Sequence, residues 1–246
     1  MKLLLTSAGA PNPSIQAALV DLLGRPVAEC TAAHIPTAMY GYEGGLGFST
    51  EMFRAWDAMG WKELKTLELT ALPSMTERLW RPELETVDAI LVGGGNTAYL
   101  CYWFNHSGFA AALPSLLEKA VYVGVSAGAY VLTPALHFDA DRLAREGVYF
   151  DDEYDELTPP GAGDHRGVGL VDFHLRPHLN SEDFPKITKT AMERAAAGLD
   201  APLYAIDDQS AIKVVDGQVE VVTEGEWHRL EAGERRAVTG DEGVAR

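Results

Sequence analysis

The sequence predicts an α/β protein with a mostly parallel central sheet, helices on both faces and an antiparallel hairpin near the carboxy-terminal end. Three observations carry this expectation. Short β-rich runs alternate with helical patterns over the first two thirds of the chain, and strands separated by helices require crossover connections and a sheet covered on both sides. Residues 87–92 form an apolar run broken only by Asp88, the pattern of a fully buried strand. Asp216-Gly217 separates two β-rich runs, 211–215 and 218–222, which is a strong short-range hairpin signal.

The elements follow in order. Lys2–Thr6 reads as a buried strand ending at the turn residues Ser7, Ala8 and Gly9. Pro13–Leu23 is a helix with Ile15, Leu19, Leu22 and Leu23 on one side. Strands are expected at 27–31, 65–70, 87–92, 121–123, 168–175 and Leu203–Ile206, and helices at 50–59, 98–104, 109–120 and 181–197. Residues 39–49, with four glycines and two tyrosines, and residues 150–163 read as long loops. Internal repeats and low-complexity linkers are absent, so residues 1–246 read as one domain.

Composition narrows the function classes. A chain of 246 residues with 47% apolar content can bury a sizeable core. No apolar run approaches the ~18–20 residues of a membrane span. The start, with Leu3-Leu4-Leu5, falls short of the ~7–15 residue apolar region of a signal peptide. Two cysteines, Cys30 and Cys101, make neither a disulfide framework nor a metal cluster, which points to a reduced cytoplasm. The net charge of −16 repels phosphate backbones and anionic lipid, so neither nucleic acid nor a membrane is an expected partner. The acids between Asp151 and Glu156 lack the ligand spacing of a calcium loop and read as a solvated loop that could wall a site. No cofactor and no metal are expected. What remains is a soluble enzyme or binding protein.

The residues that carry chemistry begin with Gly124-Val125-Ser126-Ala127-Gly128. This G-x-S-x-G pattern lies between a predicted strand and a predicted helix. It suits a sharp turn that exposes the serine hydroxyl, where side chains at the glycines would clash with neighbouring backbone, and a helix starting there would favour negative charge. Gly93-Gly94-Gly95-Asn96-Thr97 also follows a predicted strand and opens a helix. It is neither a dinucleotide fingerprint nor a P-loop. Its amides suit an oxyanion hole beside Ser126, because both loops leave the carboxyl edge of one parallel sheet.

A serine nucleophile needs a base, and seven histidines are available. His34 stands at a strand end, His106 and His137 in turns, His165 in a loop and His228 on an exposed hairpin. Asp172, His174, Arg176 and His178 alternate onto one strand face, which leaves His174 and His178 as equal candidates. A zinc site on these two fails, because four strand residues separate them by roughly 13 Å. The orienting carboxylate falls on Asp207 or Asp208, at the end of a buried strand. The order Ser126, His178, Asp208 differs from that of the α/β-hydrolases.

Taken together, five segments resemble the peptidase E family of serine peptidases, which includes aspartyl dipeptidase, with cyanophycinase a more distant relative. They are His34-Ile35-Pro36-Thr37-Ala38, Leu91-Val92-Gly93-Gly94-Gly95-Asn96-Thr97, Gly124-Val125-Ser126-Ala127-Gly128, Arg176-Pro177-His178-Leu179 and Ala205-Ile206-Asp207-Asp208. The resemblance implies a glutamine amidotransferase-like fold and an acyl-enzyme mechanism. It implies Ser126 as nucleophile, His178 rather than His174 as base, and Asp208 as the acid. The oxyanion donors would be the amides of Gly94 or Gly95 and of Ala127. Asn96 and Arg176 are candidate substrate contacts, with Lys186 and Lys189 as alternatives to Arg176 for a substrate carboxylate. The arginine that binds the substrate aspartate in aspartyl dipeptidases has no counterpart in residues 184–189, where Lys186 and Lys189 stand. Lysine is a poor replacement in bidentate carboxylate recognition, so strict specificity for amino-terminal Asp is not expected. The expectation is a cytoplasmic serine exopeptidase acting on short peptides, as a monomer or homodimer. The alternatives are a cyanophycinase-like hydrolase of β-aspartyl-arginine polymer and a non-catalytic binding protein of the same fold.

Overall fold

The structure is a computed structural model that describes residues 1–41, 44–134, 149–151, 156–158 and 167–233. Its first five strands are β1 (Lys2–Thr6), β2 (Thr31–Ile35), β3 (Glu63–Thr66), β4 (Ala89–Val92) and β5 (Val121–Val125). They run parallel in the spatial order β1-β5-β4-β2-β3. A separate antiparallel pair is formed by β6 (Tyr149–Asp151) and β7 (Glu156–Thr158). Next come β8 (His174–Arg176), β9 (Leu203–Ile206), β10 (Ser210–Val215), β11 (Gln218–Thr223) and β12 (Trp227–Leu230). The expected hairpin, β10 and β11, adds antiparallel to the free side of β1 and completes a seven-stranded sheet. A smaller sheet has the order β12-β9-β8, with β8 and β9 parallel.

The helices are α1 (Pro13–Leu23), α2 (Gly45–Asp57), α3 (Arg81–Leu84), α4 (Thr97–His106), α5 (Phe109–Leu116), α6 (Ala127–Tyr130) and α7 (Lys189–Ala196). Local chemistry sets their ends. The Asn12 side chain caps α1 by accepting from the Ile15 N–H at 3.0 Å, and Pro13 opens the first turn. Gly24 closes that helix at φ 71°.

Strand alternation divides the core between the two faces of the sheet. Leu3, Leu5, Ile90, Val92 and Tyr122 pack with Phe104, Phe109 and Leu113 of α4 and α5. Leu4, Leu91, Val121 and Val123 pack on the other face with Ile15, Leu19 and Leu22 of α1 and Trp56 of α2. Both faces are therefore covered, as crossover connections demand. Among the described residues no helix is long and apolar enough to cross a membrane. Cys30 and Cys101 are buried, and neither forms a disulfide among the described residues.

Several boundaries differ from the sequence expectation, each for a physical reason. The second strand is Thr31–Ile35, and Val27–Glu29 is a 3₁₀ turn after Pro26. Ala32 and Ala33 have weak strand propensity, and burial between β3 and β4 overrides it. Within the expected loop at 39–49, Gly45 already begins α2, after Gly44 at φ 80°. In the region 168–175 only His174–Arg176 pairs as a strand. The chain before it gives its hydrogen bonds to the turn after α6, from Val168 to Val131 and from Leu170 to Leu132. Pro185 prevents an early helix start, so α7 begins after the Thr188 cap. Most of the acidic run expected to wall a site, including Asp152, Glu153 and Asp155, lies outside the described residues.

Leu5 lies fully buried in β1. Leu5→Ala should lower stability by about 2–5 kcal/mol, and urea unfolding of the variant against wild type measures it.

Candidate active site

Three neighbouring parallel strands end side by side, and each delivers a loop to the same edge. β1 leads to Ser7, β5 to Ser126 and β4 to Gly93-Gly94-Gly95. The carboxyl edge of such a sheet is where open α/β proteins gather their ligands. The parallel strands β8 and β9 of the smaller sheet lead to His178 and Asp208 from the side.

Ser126 sits at φ 50° and ψ −112°, a backbone state that costs a non-glycine residue about 1–3 kcal/mol. Its surroundings hold it there. The Ser126 N–H donates to the Thr6 carbonyl at 3.0 Å, and its own carbonyl accepts from Ala129 and Tyr130. A Cβ at Gly128 would lie 2.2 Å from the Val92 carbonyl oxygen, and one at Gly124 would lie 2.5 Å from that of Gly128. The elbow therefore packs backbone on backbone. The helix behind it, α6, is one turn long, so its dipole is smaller than the expected helix would supply.

The Ser126 Oγ lies 2.8 Å from His178 Nε2, and His178 Nδ1 lies 2.7 Å from Asp208 Oδ1. Burial pushes the Asp208 carboxyl up, but hydrogen bonds from His178 and Ser7 outweigh it and hold the group below its ordinary value. An ionised carboxylate can only accept, so Nδ1 carries the imidazole proton and Nε2 presents its lone pair to Ser126. His178 reaches this position from a turn at φ 63° just past β8.

Two residues that the sequence reading did not assign to the site hold this row in place. Ser7, read there as a turn residue, is fully buried. Its hydroxyl donates to Asp208 Oδ1 at 2.6 Å and accepts the His178 backbone N–H at 2.8 Å. The signal for it was topological, since it is the first residue after a central parallel strand. Phe184, six residues further along the connection after β8, stacks on the His178 ring at 4.2 Å and 20°.

The fold itself uses two amides of the glycine run. Gly93 N–H donates to Ile35 and Asn96 N–H to Ala38. Among the described residues, the N–H groups of Gly94, Gly95 and Ala127 make no hydrogen bond. Gly94 packs directly on the serine, with a Cβ there falling 3.1 Å from Ser126 Cβ. Gly95 adopts φ 131°, where a Cβ would meet the Ala38 oxygen at 2.3 Å.

The other expected residues take different places. Asn96 caps α4, accepting from Tyr99 N–H at 2.8 Å. Arg176 is buried with its guanidinium 5.4 Å from the centre of the Tyr130 ring. His174 faces Asp200 at 3.1 Å, away from Ser126. His106 stacks on Tyr102 and His228 faces Glu226, while His137 and His165 lie outside the described residues. Asp207 turns opposite to Asp208, accepting from the Ser210 hydroxyl at 2.6 Å and the Glu226 N–H at 2.5 Å. It ties the end of β9 to the start of β10 and to the residue before β12.

A model of peptidase family S51 matches residues 3–222. The chain belongs to peptidase family S51. Similar proteins include the uncharacterized peptidase Lin0382 of Listeria innocua, 28% identical over 137 residues. That match covers 54% of this chain and 57% of the relative, so the chain spans little more than half of that protein's length. Among solved structures, a candidate peptidase E protein from Listeria monocytogenes EGD-e superposes with a TM-score of 0.64 at 20% identity, covering 91% of this chain and 98% of that one. A peptidase from an acI-B1 Actinobacterium gives 0.56 at 20% identity, covering 95% of each chain. At these identities the two structures establish the fold, which this S51 chain shares.

Beneath the glycine run of this S51 protein lies His34, 1% exposed, with neither ring nitrogen hydrogen-bonded among the described residues. Burial lowers its pKa to about 4. The folded protein thus keeps His34 neutral at pH values where an unfolded chain takes up a proton, near 6.5. As pH falls from 6.5 to 4 the unfolded state binds the extra proton, so stability declines through that window by about 3 kcal/mol. Chemical denaturation across this range should record the decline, and His34→Leu should flatten it. An unchanged slope in the variant would assign the pH dependence to other groups.

Proposed function

We propose that this protein is a serine exopeptidase that hydrolyses short peptides through an acyl-enzyme. One observation carries the reading: an unbroken hydrogen-bonded row from Ser126 through His178 to Asp208, with Gly94 packed against the serine. The S51 membership supports peptide-bond hydrolysis. The choice of an exopeptidase of dipeptidase type rests on the peptidase E-like motifs.

In the first half-reaction Ser126 Oγ attacks the scissile carbonyl while its proton passes to His178 Nε2. The carbonyl oxygen gains the negative charge and accepts hydrogen bonds from the N–H groups of Gly94 or Gly95 and of Ala127. His178 then gives its proton to the leaving amine as the C–N bond breaks. In the second half-reaction a water loses a proton to His178 and attacks the ester, and Ser126 leaves with that proton restored. Asp208 keeps the imidazole in the required tautomer and stabilises its cation. Ser7 positions both Asp208 and His178.

A panel of dipeptides and longer peptides, followed by product chromatography, tests the reading. Ser126→Ala should lose at least about 10³-fold in kcat with its fold intact, and wild-type turnover in that variant would sink the mechanism. Asp208→Asn should lose about 10²–10⁴-fold, whereas Asp207→Asn should chiefly lower Tm. The reverse ranking would move the orienting role to Asp207. Ser7→Ala should lower kcat more than it raises KM, because it loosens the base without removing a substrate contact.

A further inference from the structure

The S51 chain carries a cavity of about 480 Å³ between α2 and the loop that follows β1. Resting on the peptidase reading above, we propose that this cavity receives a bulky apolar side chain of the substrate residue beside the scissile bond. The preferred peptides would then be apolar rather than acidic at that position.

Two lining residues are chain neighbours of site residues, and a third packs on the glycine run. Ala8 follows Ser7, the residue that holds Asp208 and His178. Val125 precedes Ser126. Met52 Sδ lies 2.9 Å from where a Cβ on Gly93 would stand, one residue before Gly94, which packs on Ser126. On this proposal, a side chain next to a peptide bond held at Ser126 would enter the cavity from that edge.

The lining then selects the chemistry. Met39, Met52 and Met59 join Trp56 and Phe48. Thioethers are soft and conformationally adaptable, so such a wall accepts aliphatic and aromatic shapes alike. The volume lies within the ~300–1,000 Å³ of small-molecule sites, which are mostly apolar with a few polar groups. Among the described residues, Glu51 is the one charged side chain in the lining. An aspartate side chain placed here would be desolvated against a carboxylate with no cation to pair it, which is unfavourable. Phe48 is 54% exposed although it lines the cavity, and α2 buries only Gly45 and Trp56. An apolar guest would cover what the fold leaves open.

The test compares kcat/KM for dipeptides carrying Leu, Phe, Ala or Asp at either position. Wild type is set against Ala55→Trp and Ala58→Phe, two exposed cavity-lining positions where a larger side chain would fill the space. The expected result is a preference for Leu or Phe over both Ala and Asp of at least about tenfold at one position, the size of discrimination an apolar pocket gives. Each filling variant should erase that preference while circular dichroism reports an intact fold. Equal rates across the series, a preference for Asp, or a preference untouched by both variants would overturn the assignment.

A second arm does not depend on turnover. Calorimetry on Ser126→Ala protein compares acetyl-phenylalanine amide with acetyl-glycine amide. Tighter binding of the former by at least about tenfold, lost in Ala55→Trp, supports the pocket, and equal binding overturns it. Failure of Ser126-dependent cleavage alongside selective binding would reject the peptidase reading and keep the pocket.

Discussion

The parallel pairing of β1 with β5 is the constraint on which the rest of the molecule depends. It brings Thr6 opposite Val125, and one further hydrogen bond, from the Ser126 N–H to the Thr6 carbonyl, extends the ladder past the end of the strand. That bond fixes the first residue of the elbow in a conformation that an isolated chain would avoid. The close approach of Gly128 to Val92 fixes the elbow from the other side. Strain at Ser126 is therefore held by backbone contacts with two neighbouring strands, and flexible side chains have little part in it.

The two sheets divide the work at the site. The large sheet supplies Ser126 and the glycine run, and the small sheet supplies His178 and Asp208. Ser7 joins the two, because it belongs to the large sheet by sequence and to the small sheet by its hydrogen bonds. The adjacent acids show how economically the small sheet is used. Strand geometry sends Asp207 toward Ser210 and Glu226 and sends Asp208 toward His178. One carboxylate fastens strands and the next faces the imidazole, although the residues are chemically identical.

Much of this was legible in the sequence, for reasons that differ by element. β1, α1 and β9 have the boundaries read from their apolar patterns, because a buried strand and a well-capped helix carry their own local signals. The glycine motifs pointed to the same sheet edge because close backbone approach admits no other residue there. Spacing alone left His174 and His178 level, and only the resemblance separated them. The structure sets them apart by the turn at Pro177-His178, a tertiary feature. Ala32 and Ala33 hid the true second strand, and the glycines before α2 disguised a helix as a loop. In each case burial and packing outweighed local propensity. The cavity under α2 was invisible for the same reason, since its walls come from segments far apart in the chain.

The position of β1 also has a bearing on how the molecule is made. This first strand sits between β5 and β10, so its two edges wait for residues 121–125 and 210–215 to leave the ribosome. Until then it offers unpaired backbone and an apolar surface, and contacts so distant in sequence form slowly. Ser7, His178 and Asp208 come together only after residue 208 has left the ribosome. A nascent chain therefore lacks an assembled Ser126–His178–Asp208 row, and its hydrolytic potential appears only when folding closes the sheet.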